Sequence, residues 1–210
     1  MSAVDAKKLS IPIGEAMFTQ RSVRRLKPDP VPMDLIHLIL EAAVKAPNGG
    51  NRQPGRFLVV TDRARIKEFG RIYHEAWWAK RKEEKGWTKK SDIPADDKSY
   101  TSAAVFADEI GEVPAIVFAF TVAGGGANSV LPACQNLMLA AHALGLGSIP
   151  TTLHAQVMER FQALFGIPKE MVFHFCIPMG YPQIKYGPSR RRPTSETTFL
   201  DRWGGRVPWQ

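Results

Sequence analysis

The hydrophobic and polar positions along the chain predict short strands that alternate loosely with helices. Between residues 34 and 46, apolar residues recur at helical spacing, and Pro47 followed by Asn48-Gly49-Gly50 ends the helix. Residues 57–61 and 115–121 are short, branched and apolar, which is typical of buried strands. These segments are the expected core of the protein.

The second half of the chain predicts a long apolar helix and an extended tail. The helix begins near residue 128 or 129, tolerates Pro132 in its first turn and ends at Gly145. Its interior is so rich in small and apolar residues that we expect burial nearly all round. The other predicted elements are a short helix at 14–20, a short strand or loop at 147–152, a helix at 155–165, a strand at 171–177 and an extended tail over the last thirty residues.

The stretch between the first two strands is the least regular part of the sequence. Asp62 is suited to cap a helix with one apolar side, and residues 71–85 are predicted to continue as a solvated helix. Residues 86–104 contain Pro94 and lack clear periodicity, so we expect a loop-rich excursion from the core.

Length and composition indicate one globular domain. The chain has 210 residues, of which 44% are hydrophobic and 23% charged, so it can bury a core and is neither disordered nor fibrous. The most apolar stretch, residues 113–123, is shorter than the roughly 20 residues that span a bilayer. The first ten residues lack the apolar run of a secretion signal. We therefore expect a cytoplasmic protein with no membrane partner.

The two cysteines, Cys134 and Cys176, lie within apolar segments. Two cysteines are too few for a disulfide framework, and their separation is not a metal-ligand spacing. We interpret both as small core residues and predict no metal site.

Positive charge is concentrated in two arginine clusters near the two ends of the chain. Lys and Arg number 28 against 20 Asp and Glu, a net charge of +8, and the clusters are Arg21/Arg24/Arg25 and Arg190–Arg192. Guanidinium groups bind phosphate oxygens bidentately, so the clusters would form a strong monophosphate site if the tail folds back. Spacing alone favours two solvated basic patches equally, and the basic stretch 80–90 leaves nucleic-acid binding open.

The sequence offers no side-chain acid–base machinery. It contains no G-x-S-x-G or H-E-x-x-H motif, and its five histidines are scattered over different predicted elements. No G-x-G-x-x-G fingerprint follows a strand, which disfavours a dinucleotide-binding Rossmann unit. An enzyme without such groups often takes its chemistry from a cofactor.

Four segments stand out when they are read together. They are QRSVRRLKPDPVP at 20–32, EAAVKAPNGGNRQPGRFLVV at 41–60, LPACQNLMLAAHALGLGSIPTT at 131–152, and IPMGYP followed by GPSRRRP at 177–193. In this order and at these separations they resemble the FMN-dependent nitroreductase family. The resemblance covers most of the chain outside residues 61–112.

The resemblance implies an α+β (mixed α/β) fold, a single domain over residues 1–210 in which helices flank a central mixed sheet. It also implies an intertwined homodimer with an extended C-terminal tail and two FMN sites at the subunit interface. Within the excursion at about 71–112, residues 77–100 match the family pattern least. We hypothesise that this stretch is a lid that selects substrate; a decorated surface helix and loop is the alternative.

By the family pattern, the arginine clusters bind the phosphate end of FMN. Arg21, Ser22 and Arg24 would hold the phosphate and ribityl chain, and Arg190 and Arg192 would complete the phosphate site. A dianion that meets several guanidinium groups and a hydroxyl is well matched chemically.

The same pattern places two further segments at the flavin ring. Asn51 and Gln53 would face the ring edge, where side-chain amides satisfy both donors and acceptors of the pyrimidine ring. Pro150, Thr151 and Thr152 would lie along the other side, where a backbone N–H reaches flavin N5.

Two positions depart from the family pattern. Gln20 stands where a basic residue is common, and the neighbouring Arg25 is expected to supply that phosphate contact instead. Gly55 stands where an aromatic residue is common, which removes ring bulk near the flavin. Neither departure removes the predicted site.

The implied activity is a two-step exchange in which NADH or NADPH reduces FMN, which then reduces a small nitroaromatic, quinone or related conjugated acceptor. The pattern specifies neither the acceptor nor the preferred nicotinamide nucleotide. Two alternatives remain. One is a flavin-binding protein without nicotinamide-driven turnover, and the other is a basic nucleic-acid-binding protein that uses Arg190–Arg192 and residues 80–90; the reductase hypothesis involves no nucleic acid.

Overall fold

A four-stranded sheet forms the centre of the protein, whose computed structural model describes residues 5–185 and 187–209. The strands are β1 (Gly55–Val60), β2 (Ala115–Thr121), β3 (Gly147–Ser148) and β4 (Val172–Gly180), in the order β1-β2-β4-β3. The pairings of β1 with β2, β2 with β4 and β3 with β4 are antiparallel. A parallel bridge between Ser22 and Ser148 adds the N-terminal segment at the β3 edge, so the sheet is mixed in direction.

Helices cover both faces of this sheet. In the part of the chain that the structure describes, they are α1 (Ile13–Thr19), α2 (Met33–Val44), α3 (Arg63–Lys85), α4 (Lys98–Glu109), α5 (Ala127–Ala143) and α6 (Met158–Phe165). Short 3-10 turns occur at Ala6–Lys8, Gly49–Asn51, Lys90–Asp92, Ile110–Glu112, Ala155–Val157 and Thr194–Glu196. The predicted mixed helix-and-strand fold is thus confirmed.

Strand β2 lies between two hydrophobic cores, one on each face of the sheet, and all seven of its residues are buried. One set of side chains joins the core under α3, α4 and α6, and the other joins the core under α2 and α5. The first set is Ile116, Phe118 and Phe120, and the second is Ala115, Val117 and Ala119. Successive side chains of a strand point to opposite faces, so a strand covered on both faces is apolar at every position.

Helix α3 has the extent that the sequence predicted but is more buried. The Asp62 side chain accepts a hydrogen bond from the Arg65 N–H at 2.8 Å, and the helix continues unbroken until Gly86, at φ 74°, ends it. The predicted helix at 71–85 is confirmed, but its first half is not solvated all round, because one face packs into the core beside α4. The buried residues there are Ile72, Tyr73, Ala76 and Trp77.

The excursion is also more regular than predicted. Residues 98–104 were expected in a loop, but they form the first half of α4, whose Ala104, Phe106 and Ala107 are buried. The loop before α4 is held by Asp92, whose carboxylate accepts hydrogen bonds from the Thr88 N–H and hydroxyl. The backbone hydrogen bond from Thr88 lowers the pKa of that carboxyl. Whether this region acts as a lid stays a prediction.

Helix α5 and the cysteines agree with most of what the sequence predicted. Cys134 and Cys176 are buried, as expected. Helix α5 is not buried all round in the single chain, since Leu131 and Gln135 are exposed. Within the described part of the chain, no helix combines the length and the apolar character that crossing a bilayer requires.

Candidate functional site

The first arginine cluster lies in an extended segment between β3 and the tail. The Val23 N–H donates to the Ser148 carbonyl at 3.0 Å, and the Lys27 N–H donates to the Tyr181 carbonyl at 2.7 Å. Val23 and Leu26 are buried and anchor the segment to the core. Because side chains alternate along extended backbone, Ser22 and Arg24 face away from Val23.

The tail folds back onto this segment. The Ser189 N–H and hydroxyl both donate to the Phe18 carbonyl, each at 3.2 Å. The Arg21 guanidinium donates to the Gly187 carbonyl at 3.4 Å. These contacts bring residues near the two ends of the chain to one place, which was the condition for a joint phosphate site.

The two arginine clusters meet at a cavity of about 630 Å³, which we call the arginine cavity. Its described lining contains four arginines and two serines, and it contains no Asp or Glu. The lining residues are Arg21, Ser22, Arg24, Gly187, Pro188, Ser189, Arg190 and Arg191. Several guanidinium groups beside hydroxyls are the chemistry that a phosphate-like anion requires.

Two arginines of the predicted set lie outside this lining. Arg191 lines the arginine cavity, whereas Arg192 is exposed and is not among its lining residues. Arg25 lines a neighbouring cavity of about 220 Å³, together with Arg24 and Lys98. Arg24 therefore lines both cavities, and Arg25 lines only the smaller one, next to α4.

The predicted ring segment at 150–152 is tied firmly to β4. Thr151 and Cys176 exchange two backbone hydrogen bonds, at 2.9 Å from the Thr151 N–H and at 2.8 Å to the Thr151 carbonyl. Pro150 has no N–H, and the Thr151 N–H is already used. Among the described residues, the Thr152 N–H makes no hydrogen bond. Of the three residues, only Thr152 can therefore offer its N–H to a ligand.

Two side chains of α3 contact the same segment and were not predicted. The Tyr73 hydroxyl lies 2.8 Å from Thr151 Oγ1, and Lys80 Nζ donates to Thr152 Oγ1 at 3.4 Å. Burial raises the pKa of Tyr73 to about 12, although the Thr151 hydrogen bond and the Arg24 and Arg81 charges act in the opposite direction. Local spacing carried a weak signal for Tyr73, which shares an apolar helix face with Phe69.

Asn51 and Gln53 lie outside the lining of the arginine cavity and adopt an unusual backbone conformation. Their φ angles are 53° and 50°, in the left-handed region that non-glycine residues rarely adopt. The Asn48 side chain holds the loop by accepting the Gln53 N–H at 2.8 Å. Both side chains are exposed, and neither lines the arginine cavity within the single chain. Such conformations concentrate at functional sites, where the surroundings maintain the strain.

The fold defines an α+β protein with an arginine-lined cavity, and comparison with known proteins identifies its family. The model of the nitroreductase family matches residues 18–181. The chain therefore belongs to the nitroreductase family.

Individual relatives differ in the activities that their names state. An "NADH dehydrogenase" from Thermus thermophilus is 30% identical over 203 residues, covering 85% of this chain and 90% of the relative. An "iodotyrosine deiodinase" from Thermotoga neapolitana is 29% identical over 177 residues, covering 84% of this chain and 90% of the relative.

A solved structure shows the same fold. It is the FMN-dependent nitroreductase NfnB from Mycobacterium smegmatis in complex with NADPH, and it superposes with a TM-score of 0.70 at 20% identity. The match covers 94% of this chain and all of that one.

Proposed function

We propose that the protein is an FMN-dependent oxidoreductase that uses NADH or NADPH to reduce a small conjugated acceptor. The observation that carries the proposal is the arginine cavity, which four arginines and two serines from near both ends of the chain line together. Relatives whose names state NADH dehydrogenase activity, and a structure of the same fold that is named FMN-dependent, support FMN and a nicotinamide nucleotide.

The residues of the cavity fit the phosphate of FMN. A phosphate monoester carries close to two negative charges at neutral pH, and Arg21, Arg24 and Arg190 supply guanidinium groups while Ser22 supplies a hydroxyl. The two serines and the backbone of the tail complete a polar wall. Arg191 is in the lining and can supply a further guanidinium group, whereas Arg192 is not among the lining residues.

The ring end of FMN would lie against the segment at 150–152. The Thr152 N–H is the backbone donor that remains there for flavin N5, because the neighbouring Thr151 N–H is bonded to Cys176. Asn51 and Gln53 do not line the arginine cavity of their own chain. We therefore infer that a second copy of the chain brings these two amides to the ring edge, as the resemblance to intertwined homodimers implies.

The chemistry that bound FMN supplies is hydride acceptance from the nicotinamide followed by reduction of the acceptor. The protein's own residues bind the phosphate, orient the ring through Thr152 and keep positive charge nearby on Arg24 and Lys80. Such preorganised charge favours the negative charge that reduction places on the ring.

The first experiment is the visible absorption spectrum of the purified protein after incubation with FMN, followed by anaerobic addition of NADPH or NADH. We expect a bound-flavin spectrum that bleaches. A flavin that stays oxidised would favour a flavin-binding protein without nicotinamide-driven turnover. A protein that takes up no FMN would overturn the proposal and would favour the nucleic-acid alternative, which salt-dependent DNA binding would then test.

A pair of variants tests the phosphate site itself. Arg21→Gln and Arg190→Gln should each weaken FMN binding about tenfold or more, since each removes a charge-assisted hydrogen bond to phosphate. Arg71→Gln is the matched control, because Arg71 is an exposed arginine of α3 paired with Glu68. Equal affinity in all three variants, measured by flavin fluorescence quenching, would remove the phosphate from this cavity.

The acceptor is best identified by competition within one panel. The names of similar proteins justify comparing a nitroaromatic with 3-iodo-L-tyrosine under identical reducing conditions, and a quinone is added as the other acceptor class that the family resemblance implies. Preferential turnover of the nitroaromatic or the quinone would support the reductase proposal. Preferential release of iodide from 3-iodo-L-tyrosine would support reductive deiodination instead, at the same flavin site.

A further inference from the structure

Helix α3 is connected by side chains to both threonines of the ring segment. Tyr73 contacts the Thr151 hydroxyl at 2.8 Å, and Lys80 donates to the Thr152 hydroxyl at 3.4 Å. Tyr73 and Lys80 are seven residues apart, which places them two turns apart on one face of the helix. One helix face therefore holds two consecutive residues that lie about 70–80 positions further along the chain.

Tyr73 is a rigid support for this contact. Its side chain is only 3% exposed, and its ring lies against Phe69 and Phe106, with centroid separations of 6.1 and 6.2 Å. Because its pKa is raised to about 12, the hydroxyl stays protonated across the physiological pH range. The core holds the Tyr73 ring in place, and the Tyr73 hydroxyl is the polar atom that contacts the segment at 150–152.

Thr151 is consequently fixed at three points. Its N–H and carbonyl are bonded to Cys176, and its hydroxyl is bonded to Tyr73. The next residue, Thr152, has an N–H without a partner among the described residues, and its hydroxyl accepts from Lys80. The direction of the Thr152 N–H thus depends on how firmly Thr151 is held.

We propose that Tyr73 is a positioning residue, which fixes the Thr152 N–H for the flavin by holding the Thr151 hydroxyl. This inference rests on the proposed function, because it concerns the residues that face FMN. Tyr73 does not itself touch the flavin; it acts through Thr151. Lys80 supports the same segment from the next turns of α3.

The proposal predicts an effect that depends on the oxidation state of the flavin. Atom N5 of oxidised flavin accepts hydrogen bonds, whereas N5 of reduced flavin carries a hydrogen and donates. A fixed amide N–H therefore favours the oxidised form. Loosening Thr152 should weaken binding of oxidised FMN more than binding of reduced FMN, which makes the midpoint potential more positive.

The test is a double-variant cycle on the full-length, FMN-loaded protein. Tyr73→Phe and Thr151→Val each remove a hydroxyl while keeping the shape of the side chain. We expect each to weaken binding of oxidised FMN by about threefold to tenfold, as loss of one hydrogen bond predicts, and to raise the potential. The double variant should be no worse than either single one, because both remove the same contact. Tyr100→Phe is the control, since no hydrogen bond of the Tyr100 hydroxyl is found among the described residues.

The outcomes separate this inference from the proposed function. Thermal unfolding of each variant shows whether the fold is kept, and the potential is a readout that general loss of stability does not reproduce. Wild-type potential and FMN affinity in Tyr73→Phe, or additive effects in the double variant, would overturn the positioning role alone. Failure of the wild-type chain to bind FMN would overturn both proposals.

Discussion

Gly70 is the residue at which α3 comes closest to the turn before β2. A Cβ atom at this position would lie 2.7 Å from the Gly111 Cα and 2.9 Å from the Gly111 nitrogen, both of them backbone atoms. Backbone cannot move aside as a flexible side chain can. We therefore expect Gly70→Ala to lower the free energy of unfolding by about 1–3 kcal/mol through overpacking, measured by urea denaturation.

A second helical glycine provides the control for this prediction. Gly14 lies in α1, and a Cβ there would meet nothing within 4 Å. Gly14→Ala should leave the protein unchanged or stabilise it by up to about 1 kcal/mol, since alanine has the higher helix propensity. Equal stability of the two variants would mean that α3 can shift away from Gly111 at little cost.

His174 contacts Thr121, which holds the glycine loop after β2. Thr121 is fully buried, and its hydroxyl donates to the Gly125 carbonyl at 2.8 Å. A hydroxyl has one hydrogen, so the 2.9 Å contact requires His174 Nε2 to donate to Thr121. Burial lowers the pKa of His174 below its usual value of 6.5.

The sign of the pH effect follows from this lowered pKa. As pH falls below 6.5, the unfolded chain takes up a proton at His174 before the folded chain does. The free energy of unfolding of the wild type should therefore decrease between pH 7 and pH 5, and it should decrease less in His174→Gln. His37→Gln is the control, because His37 forms an exposed pair with Glu41 that contributes little. Identical pH dependence in wild type and His174→Gln would contradict the assignment.

At the residue scale, the sequence predicts charged ligand-binding groups better than the groups that support them. The two arginine clusters are visible as local spacing, and Arg21, Arg24 and Arg190 of these clusters line one cavity, whereas Ser22 was implied by the family resemblance. Tyr73 escaped because its partner Thr151 is 78 residues away and its role depends on tertiary contact. The spacing of residues along the sequence does not show that Tyr73 and Thr151 are in contact.

At the element scale, Arg81 links the two helices of the excursion. Its guanidinium carbon lies 5.4 Å from the Trp77 ring centroid and 5.2 Å from the Tyr100 centroid, and its side chain is 11% exposed. The contact joins α3 to α4. Arg81→Ala should cost roughly 1–3 kcal/mol through lost packing and cation–π attraction.

Hydrogen exchange distinguishes local loosening of the excursion from general destabilisation. In Arg81→Ala, amides of α4 should exchange faster while those of β2 and β4 keep their protection. Arg71→Ala, on an exposed part of α3, should exchange as the wild type does. Unchanged protection of α4 in Arg81→Ala would show that the buried apolar residues of α4 hold it without this contact.

The elements themselves differed in how well the sequence defined them. Strand β2 was predicted with the bounds observed, 115–121, since a strand buried on both faces is apolar throughout and is followed by glycines. The burial of α3 and the extent of α4 were underestimated because their buried faces are short apolar stripes among many charges. The core that buries those stripes is formed together with distant parts of the chain.

At the scale of the whole molecule, large apolar side chains are exposed at both ends of the single chain. In α1, Phe18 is 75% exposed, and Trp203 in the tail is 90% exposed. Exposed apolar groups of this size favour an interaction surface. Together with Asn51 and Gln53, which do not line the arginine cavity of their own chain, they support the homodimer that the family resemblance implies.

We expect homodimer formation and FMN binding to be linked. Sedimentation equilibrium should give twice the chain mass of 23.3 kDa. Phe18→Glu should shift the protein towards the monomer by weakening association about tenfold or more, because it buries an unpaired charge, whereas Phe18→Leu should remain dimeric. If a second copy completes the ring site with Asn51 and Gln53, FMN affinity should fall as the monomer fraction rises, and raising the concentration of Phe18→Glu should restore both together. A monomer that binds FMN as tightly as the dimer would show that each chain forms the whole site alone.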